Sequence, residues 1–320
     1  MKKYDIVAIG ENLIDFAPAK EQELGKLAFS GSPGGAPANV LACASKLGLK
    51  TAFISKLGMD VFGALFKQTM VDAGIDISGL VETDKYPSTL AFVSLDESGD
   101  RSFSFYRNET AECMIMMDEL PSGLLSEAKL FHFGSVSMTA EPARTTTLQA
   151  VKQAKESGAV IAYDPNLREL LWSSLEEAKA VMTEGLQYAD LVKLSDNELV
   201  FLSGESDLEA GMRLLFERHS FRYLAVTMGA RGSMCMDGGG VSYQPAFEVK
   251  AVDTTGAGDA FWGAFLYQYL HNELDRKGEK KDVPYMLRFS NAAGALTAMG
   301  YGAIPSMPVL DEVCGLAGKE

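Results

Sequence analysis

The stretch Asp253-Thr254-Thr255-Gly256-Ala257-Gly258-Asp259-Ala260-Phe261-Trp262-Gly263-Ala264-Phe265-Leu266 runs from small residues into a segment that stays apolar nearly all round as far as Leu270. A segment of that kind is a helix with no solvent face, so it belongs in the interior of a large domain. Gly256 and Gly258 leave room for a ligand against the backbone. The amides at the helix start lack intrahelical partners, and with the positive end of the macrodipole they form a site for an anion such as phosphate. Asp259 stands at the mouth of this helix, where a carboxylate either caps the first turn or takes a proton from a substrate hydroxyl. Position alone favours the cap.

Outward from that helix the chain alternates. Tyr4–Ile9, Thr51–Ser55, Leu130–Phe133, Val160–Tyr163, Leu191–Leu194 and Tyr223–Thr227 read as strands. Helical patterns fall between them at Pro37–Leu47, Val61–Asp72, Pro142–Glu156, Leu175–Tyr188 and Leu208–Arg218, the first with proline in its opening turn and Gly48 just past its end. The rhythm predicts an α/β fold, a doubly wound and mainly parallel sheet with helices on both faces. One region departs from it. Thr89–Leu95 and Arg101–Tyr106 are strand-like and joined only by Asp96 to Asp100, a hairpin signature, with Phe103 and Phe105 alternating against Ser102 and Ser104. Phe16 to Phe29 also lacks a helical period and can add strands. The expectation is a small β-sheet lid formed by two excursions, about 12–33 and 86–113, from a single domain spanning 1–320.

The 320 residues carry 29 Lys and Arg against 43 Asp and Glu, a formal net charge of -14, which argues against long-range attraction to nucleic acid or an anionic membrane. An anionic ligand therefore needs a local device such as the helix start at Gly256–Asp259. Cys43, Cys113, Cys235 and Cys314 lie far apart with no CxxC pair, so neither a zinc site nor a disulfide framework is expected, and reduced thiols fit a cytoplasmic setting. The apolar run before Glu11 is too short for a signal peptide, and no stretch approaches the roughly 18 apolar residues of a membrane span.

A second glycine cluster, Gly31-Ser32-Pro33-Gly34-Gly35-Ala36-Pro37-Ala38-Asn39, leads into the first long helix. It either gives a small polar ligand backbone space beside Asn39 or is an ordinary loop and helix start. Asp15 follows the first strand, where strand carboxyl ends face the binding crevice of an open α/β sheet. A dinucleotide fingerprint fails, because the third glycine of GxGxxG is replaced by Phe261 and the first strand leads into Glu11 to Asp15 without glycines. GxxxxGK[ST], HExxH, GxSxG and EF-hand patterns are absent. His132 reads as a core histidine, His219 and His271 as surface residues, and Met114, Met116 and Met117 as packing.

The two glycine-centred motifs, in this order and spacing, resemble the ribokinase-like (PfkB-type) family of carbohydrate kinases across essentially the whole chain. Gly34–Leu47 resembles the family's N-terminal signature and Asp253–Phe265 its C-terminal one. Gly10 to Phe16, Gly34 to Asn39, and Asp164-Pro165-Asn166-Leu167-Arg168 with Trp172 are most similar to bacterial fructokinases. The resemblance implies an αβα sandwich with a β lid over the sugar, Asp259 as general base, and Gly256, Ala257 and Gly258 as the anion hole for the transferring phosphoryl group. It places Asp15, Gly34, Gly35, Asn39, Arg168 and, as a weaker candidate, Arg107 at the sugar. It places Lys193, Thr227, Gly229, Gly232 and Asn291 at the nucleotide, and links Glu198 to magnesium (Mg2+). Asp253, Thr255, Thr297, Gly300, Gly302 and Ser306 resemble the monovalent-cation site, with potassium (K+) as its occupant. Two positions depart from the family pattern: Ser195 stands where the NxxE motif has Asn, and Glu112 where many fructokinases have Asp.

The implied activity is transfer of the γ-phosphoryl group of ATP to a primary hydroxyl, with D-fructose giving fructose 6-phosphate. The rival within the class is a 2-keto-3-deoxygluconate kinase, whose acidic substrate would need Arg168; ribose and nucleoside kinases are less favoured. From other classes, a non-catalytic sugar-binding regulator and an NAD-dependent oxidoreductase are disfavoured by the retained Asp259 and the missing third glycine. A homodimer paired through the lid is compatible with the apolar alternation at Phe103 and Phe105.

Overall fold

In strand β1 (Tyr4–Ile9), Ile6 and Ala8 join one apolar core and Val7 and Ile9 another, so both faces of the strand are covered. Strand β4 (Thr51–Gly58) divides in the same way, Phe53 and Leu57 into the first core, Ala52 and Ile54 into the second. A strand buried on both faces needs continuous apolar residues and helices on either side, the arrangement of a doubly wound sheet. The computed structural model describes residues 2–19, 27–95, 101–121, 123–274 and 282–318.

The remaining strands are β2 (Leu13–Pro18), β3 (Phe29–Gly34), β5 (Asp76–Thr83), β6 (Leu90–Leu95), β7 (Arg101–Tyr106), β8 (Ala128–Phe133), β9 (Val160–Tyr163), β10 (Leu191–Ser195), β11 (Tyr223–Thr227), β12 (Ser233–Asp237) and β13 (Gly240–Gln244). Nine of them form the main sheet in the order β13-β12-β11-β10-β9-β8-β1-β4-β5, parallel from β11 to β5 with an antiparallel hairpin, β12 and β13, at the edge. The chain leaves β1 towards β4 and β5, then returns to β8 on the other side. The crevice between β1 and β8 is thus the switch point where ligands bind in open α/β sheets.

The second sheet has the order β3-β2-β6-β7, with β2 parallel to β6 and both outer pairs antiparallel. The expected hairpin pairs as read, while its connection at 96–100 and the residues 20–26 between β2 and β3 lie outside the described residues, as does the side chain of Phe103. Gly31–Gly34, left open between a ligand-binding backbone and a loop, is the end of β3. Small residues suit that strand because a Cβ at Gly31 would come within 2.8 Å of the Phe16 ring.

Helix Ala257–Leu274 is buried on all sides from Asp259 to Leu270, with Trp262, Phe265 and Tyr269 fully enclosed. It packs between helices Ala36–Lys46 and Val283–Ala298. Gly263 permits the first contact, since a Cβ there would lie 2.8 Å from both the Val40 carbonyl and the Cys43 Cβ. Burying each large apolar side chain of this layer contributes about 1.5–3 kcal/mol relative to exposure. No helix among the described residues is long and apolar enough to cross a membrane. His132 is buried, its Nδ1 lies 3.2 Å from the Ala162 carbonyl, and burial lowers it to about 3, so it is a neutral core residue.

Candidate active site

The start of helix Ala257–Leu274 and the first turn of helix Ala36–Lys46 meet at one hydrogen bond: Asn39 Nδ2 donates to Asp259 Oδ2 at 2.8 Å. This is the one side-chain hydrogen bond of Asp259 among the described residues, so the carboxylate caps no amide of its own helix. Asp259 is 9% exposed, which leaves an edge of the carboxylate open to a ligand. Asn39 Oδ1 is buried without a partner among the described residues, an acceptor suited to a ligand hydroxyl.

The backbone beside this pair is held at close quarters. Gly256 has φ +78, and a Cβ there would lie 2.5 Å from the Ala303 Cβ. Gly35 has φ +122 and lies against the Glu11 carbonyl, which a Cβ would approach to 2.5 Å. A Cβ at Gly34 would stand 2.6 Å from Asp15 Oδ2, so the Asp15 carboxylate rests on the glycine backbone. Burial lifts Asp15 to about 6; Arg168 pulls it down while Asp259 and Asp253 push it up. Sequence reading put these groups at the sugar, and the fold does bring Asp15, Gly34, Gly35, Asn39 and Asp259 together.

Lys193, midway along β10, reaches towards the glycine run: a Cβ on Gly258 would lie 3.6 Å from its Nζ. Its ammonium donates to Asp164 Oδ2 at 2.6 Å, and both residues are buried. Burial works against the Lys193 charge, but Asp164, Glu198 and Asp259 outweigh it and hold the ammonium above its usual range. The sequence marked Asp164 only as part of a motif; its place just past β9, level with Lys193 of β10, is what a strand-end acid facing the crevice would have suggested.

Glu198 Oε2 accepts from the Ser195 amide and Oε1 from the Leu167 amide, each at 2.7 Å. Ser195 Oγ accepts in turn from the Glu198 amide, completing a capping box. The serine that departs from the family pattern is therefore the helix cap, and Glu198 ties that helix to the Asp164–Arg168 loop. Thr227 pairs with Ser195 across β10 and β11, and the loop after it closes through Met228 N–H to the Gly232 carbonyl at 2.8 Å, with Gly229 and Gly232 at φ +57 and +99. Beside this loop opens a cleft of about 690 Å³ bordered by Met228, Ala230, Arg231, Tyr243 and Pro245.

Two of the residues expected at ligands, Asn291 and Arg107, have several protein partners. Asn291 accepts from Ser233 Oγ and donates from Nδ2 to the Gln244 and Pro245 carbonyls, so it holds the edge hairpin in place beside the cleft. Arg107 donates to both Glu112 oxygens, from Nε at 2.6 Å and Nη2 at 3.1 Å, and also to Thr139 Oγ1 and the Val136 carbonyl. This buried pair fastens the end of β7 to the main domain, which gives Glu112 a partner the sequence did not reveal. Arg168, by contrast, is exposed and donates to the Leu167 carbonyl.

Asp253 Oδ1 accepts from the Thr255 amide and hydroxyl, and Oδ2 from the Gly302 amide at 3.0 Å. The Val252 and Asp253 amides donate to the Ala298 carbonyl. Ser306 Oγ donates to the Tyr301 carbonyl and sits where a Cβ on Gly300 would come within 2.2 Å, while Thr297 Oγ1 is buried and donates to Ala293. The two loops are thus laced together directly behind Gly256.

A mainly parallel sheet with a glycine-lined helix start, a buried lysine at the glycines and a small sheet at the crevice defines a phosphotransferase. The family model for pfkB family carbohydrate kinases matches residues 3–310, and the chain belongs to that family. It is 43% identical over 316 residues to fructokinase-1 of Zea mays, covering 98% of each chain. Among solved structures it is similar to a fructokinase with bound ATP from Xylella fastidiosa, with TM-score 0.89, 33% identity and 99% of both chains covered. A fructokinase double mutant from Vibrio cholerae, with fructose, ADP and potassium ion bound, superposes with TM-score 0.87 at 30% identity over 99% of both chains.

Proposed function

We propose that the protein transfers the γ-phosphoryl group of ATP to the primary hydroxyl of D-fructose. The observation that carries the reading is the Asn39–Asp259 hydrogen bond, which joins the two glycine motifs at the start of helix Ala257–Leu274, where the Ala257 amide also donates to the Thr254 carbonyl at 3.2 Å. Fructose hydroxyls bind Asp15, Asn39 and the backbone at Gly34 and Gly35, with Arg168 at the edge of the site. Asp259 takes the proton of the attacking hydroxyl while the amides at Gly256, Ala257 and Gly258 receive the charge that builds on the transferring group. Lys193 adds a fixed positive charge at Gly258, in a setting where burial strengthens its field.

The nucleotide base occupies the cleft beside Met228 and Tyr243, whose volume of about 690 Å³ is within the usual range for a small-molecule site. Magnesium bound with ATP would neutralise phosphate charge, and Glu198, both of whose oxygens accept backbone amides, would bear on it only through the Asp164–Arg168 loop that it holds. Potassium suits the backbone oxygens around Asp253, Thr255, Thr297, Gly300, Gly302 and Ser306, because the side chains there are occupied in shaping the two loops. When bound, the ion adds positive charge that orders the amides facing the phosphate.

Fructose is preferred to the keto-deoxy acid because the chain is similar to fructokinases over nearly its whole length, while Arg168, without a carboxylate partner among the described residues, is the cation an acidic substrate would have to use. A panel of fructose, 2-keto-3-deoxygluconate and ribose with ATP, read by coupled ADP release, tests the assignment. Phosphorylation of the acid in preference to fructose would overturn it.

A further inference from the structure

We infer that Glu11 is a positioning residue for phosphoryl transfer: its carboxylate fixes the start of helix Ala36–Lys46 and, through that turn, the orientation of Asn39 and Asp259. Glu11 Oε1 accepts the Ala36 amide at 2.9 Å. The helix has Gly35 at its N-cap, which offers no side-chain acceptor, so a side chain from the end of β1 supplies the missing cap. The Glu11 carbonyl also lies against Gly35, so one residue sets both the path and the amide direction of the turn. Asn39 stands in this first turn, its own amide donating to the Gly35 carbonyl at 3.0 Å and its side chain to Asp259. Gly34, the preceding residue, carries Asp15.

A cap alone does not call for a carboxylate. Glu11 is 3% exposed and its second oxygen is buried with no partner among the described residues, a costly state for an acid when a shorter polar residue could cap from Gly35 itself. Only a reach from β1 ties the helix start to the strand that leads into Asp15, joining the two sides of the sugar site. Misplacing a reacting group by about 1 Å costs on the order of 100-fold in rate, so such a tie acts on turnover without touching substrate.

The inference rests on the proposed kinase reading, and its test separates the two. Glu11→Asp shortens the reach by about 1.5 Å, one C–C bond, and keeps the charge; Glu11→Gln keeps the acceptor oxygen and removes the charge. Turnover with fructose and ATP, corrected for folded fraction by thermal melting, is expected to fall 10- to 100-fold in Glu11→Asp with KM for ATP unchanged, and to recover to within about threefold in Glu11→Gln. Combined with Asn39→Ala, Glu11→Asp should add little further loss. Hydrogen exchange at Ala36–Asn39 should speed up at least tenfold in Glu11→Asp and stay near wild type in Glu11→Gln. Full turnover by Glu11→Asp, or losses that multiply with Asn39→Ala, would overturn the role. Wild-type protein inert towards every sugar would overturn the kinase reading instead, and exchange at Ala36–Asn39 would then decide whether Glu11 holds the turn.

Discussion

Asn39 and Asp259 lie 220 positions apart and meet in a 2.8 Å hydrogen bond that leaves the outer edge of the carboxylate open. If that carboxylate strips the proton from the acceptor, Asp259→Asn keeps the size and the partner and loses the base. Turnover is expected to fall about 1,000-fold, the middle of the range for general-base loss, with sugar binding by calorimetry changed little. Asn39→Ala should weaken both, since it removes a hydroxyl contact and releases Asp259. Equal ADP release by Asp259→Asn would refute the assignment.

Asp15 carries opposite consequences for binding and for stability. Ionised, it accepts sugar hydroxyls, so kcat/KM for the sugar should decline as pH drops below about 6, the value to which burial lifts it. Because that value lies above the 3.8 of an ordinary aspartate, the folded state holds the proton more tightly than the unfolded one. Asp15 therefore favours folding most at low pH, and this contribution disappears as pH climbs from about 4 through 6. Melting curves of the ligand-free protein across that interval, compared with Asp15→Asn, should show the pH-dependent difference; parallel curves would contradict it.

Arg107 and Glu112 form a buried two-pronged pair at the root of β7. Arg107→Met leaves a carboxylate without its partner, which costs on the order of 3–5 kcal/mol. Urea unfolding should register that loss, while KM for fructose in the folded fraction stays within about threefold. A large KM change with unaltered stability would show the arginine at the sugar instead.

Gly263 looks replaceable, since alanine is the better helix former by about 1 kcal/mol. The added methyl would meet the Val40 carbonyl and Cys43 at 2.8 Å, so the two helices must part. Gly263→Ala is expected to destabilise by about 1–3 kcal/mol, the usual cost of overpacking, and to lower kcat because Asn39 moves away from Asp259. An alanine variant as stable and active as wild type would mean that the contact has slack.

The residues that could be read in the sequence are those whose local pattern already contains the reason for their structure. The apolar helix after Gly258, the strand at Val160–Tyr163 and the helix at Val61–Asp72 appear where periodicity put them. Strands β5, β12 and β13 were not visible, because they lie towards the sheet edges and their burial follows no clean alternation. Gly31–Gly34 could not be decided for a related reason: glycine and proline also suit a loop, and only the neighbouring Phe16 and Asp15 make them a strand. Glu112 had no assignable role because its partner, Arg107, turns back to it from the end of β7.

From the chain alone came the doubly wound sheet, the two glycine motifs and the acid at the helix mouth, since these follow from residue spacing and backbone freedom within short segments. Folding decided which acids work together. Asn39 reached Asp259 rather than solvent, Lys193 chose Asp164, and Glu198 spent both oxygens on backbone amides. A side chain's partner depends on helices and strands distant in sequence being brought within about 3 Å, the length of a hydrogen bond, and only packing in three dimensions determines that.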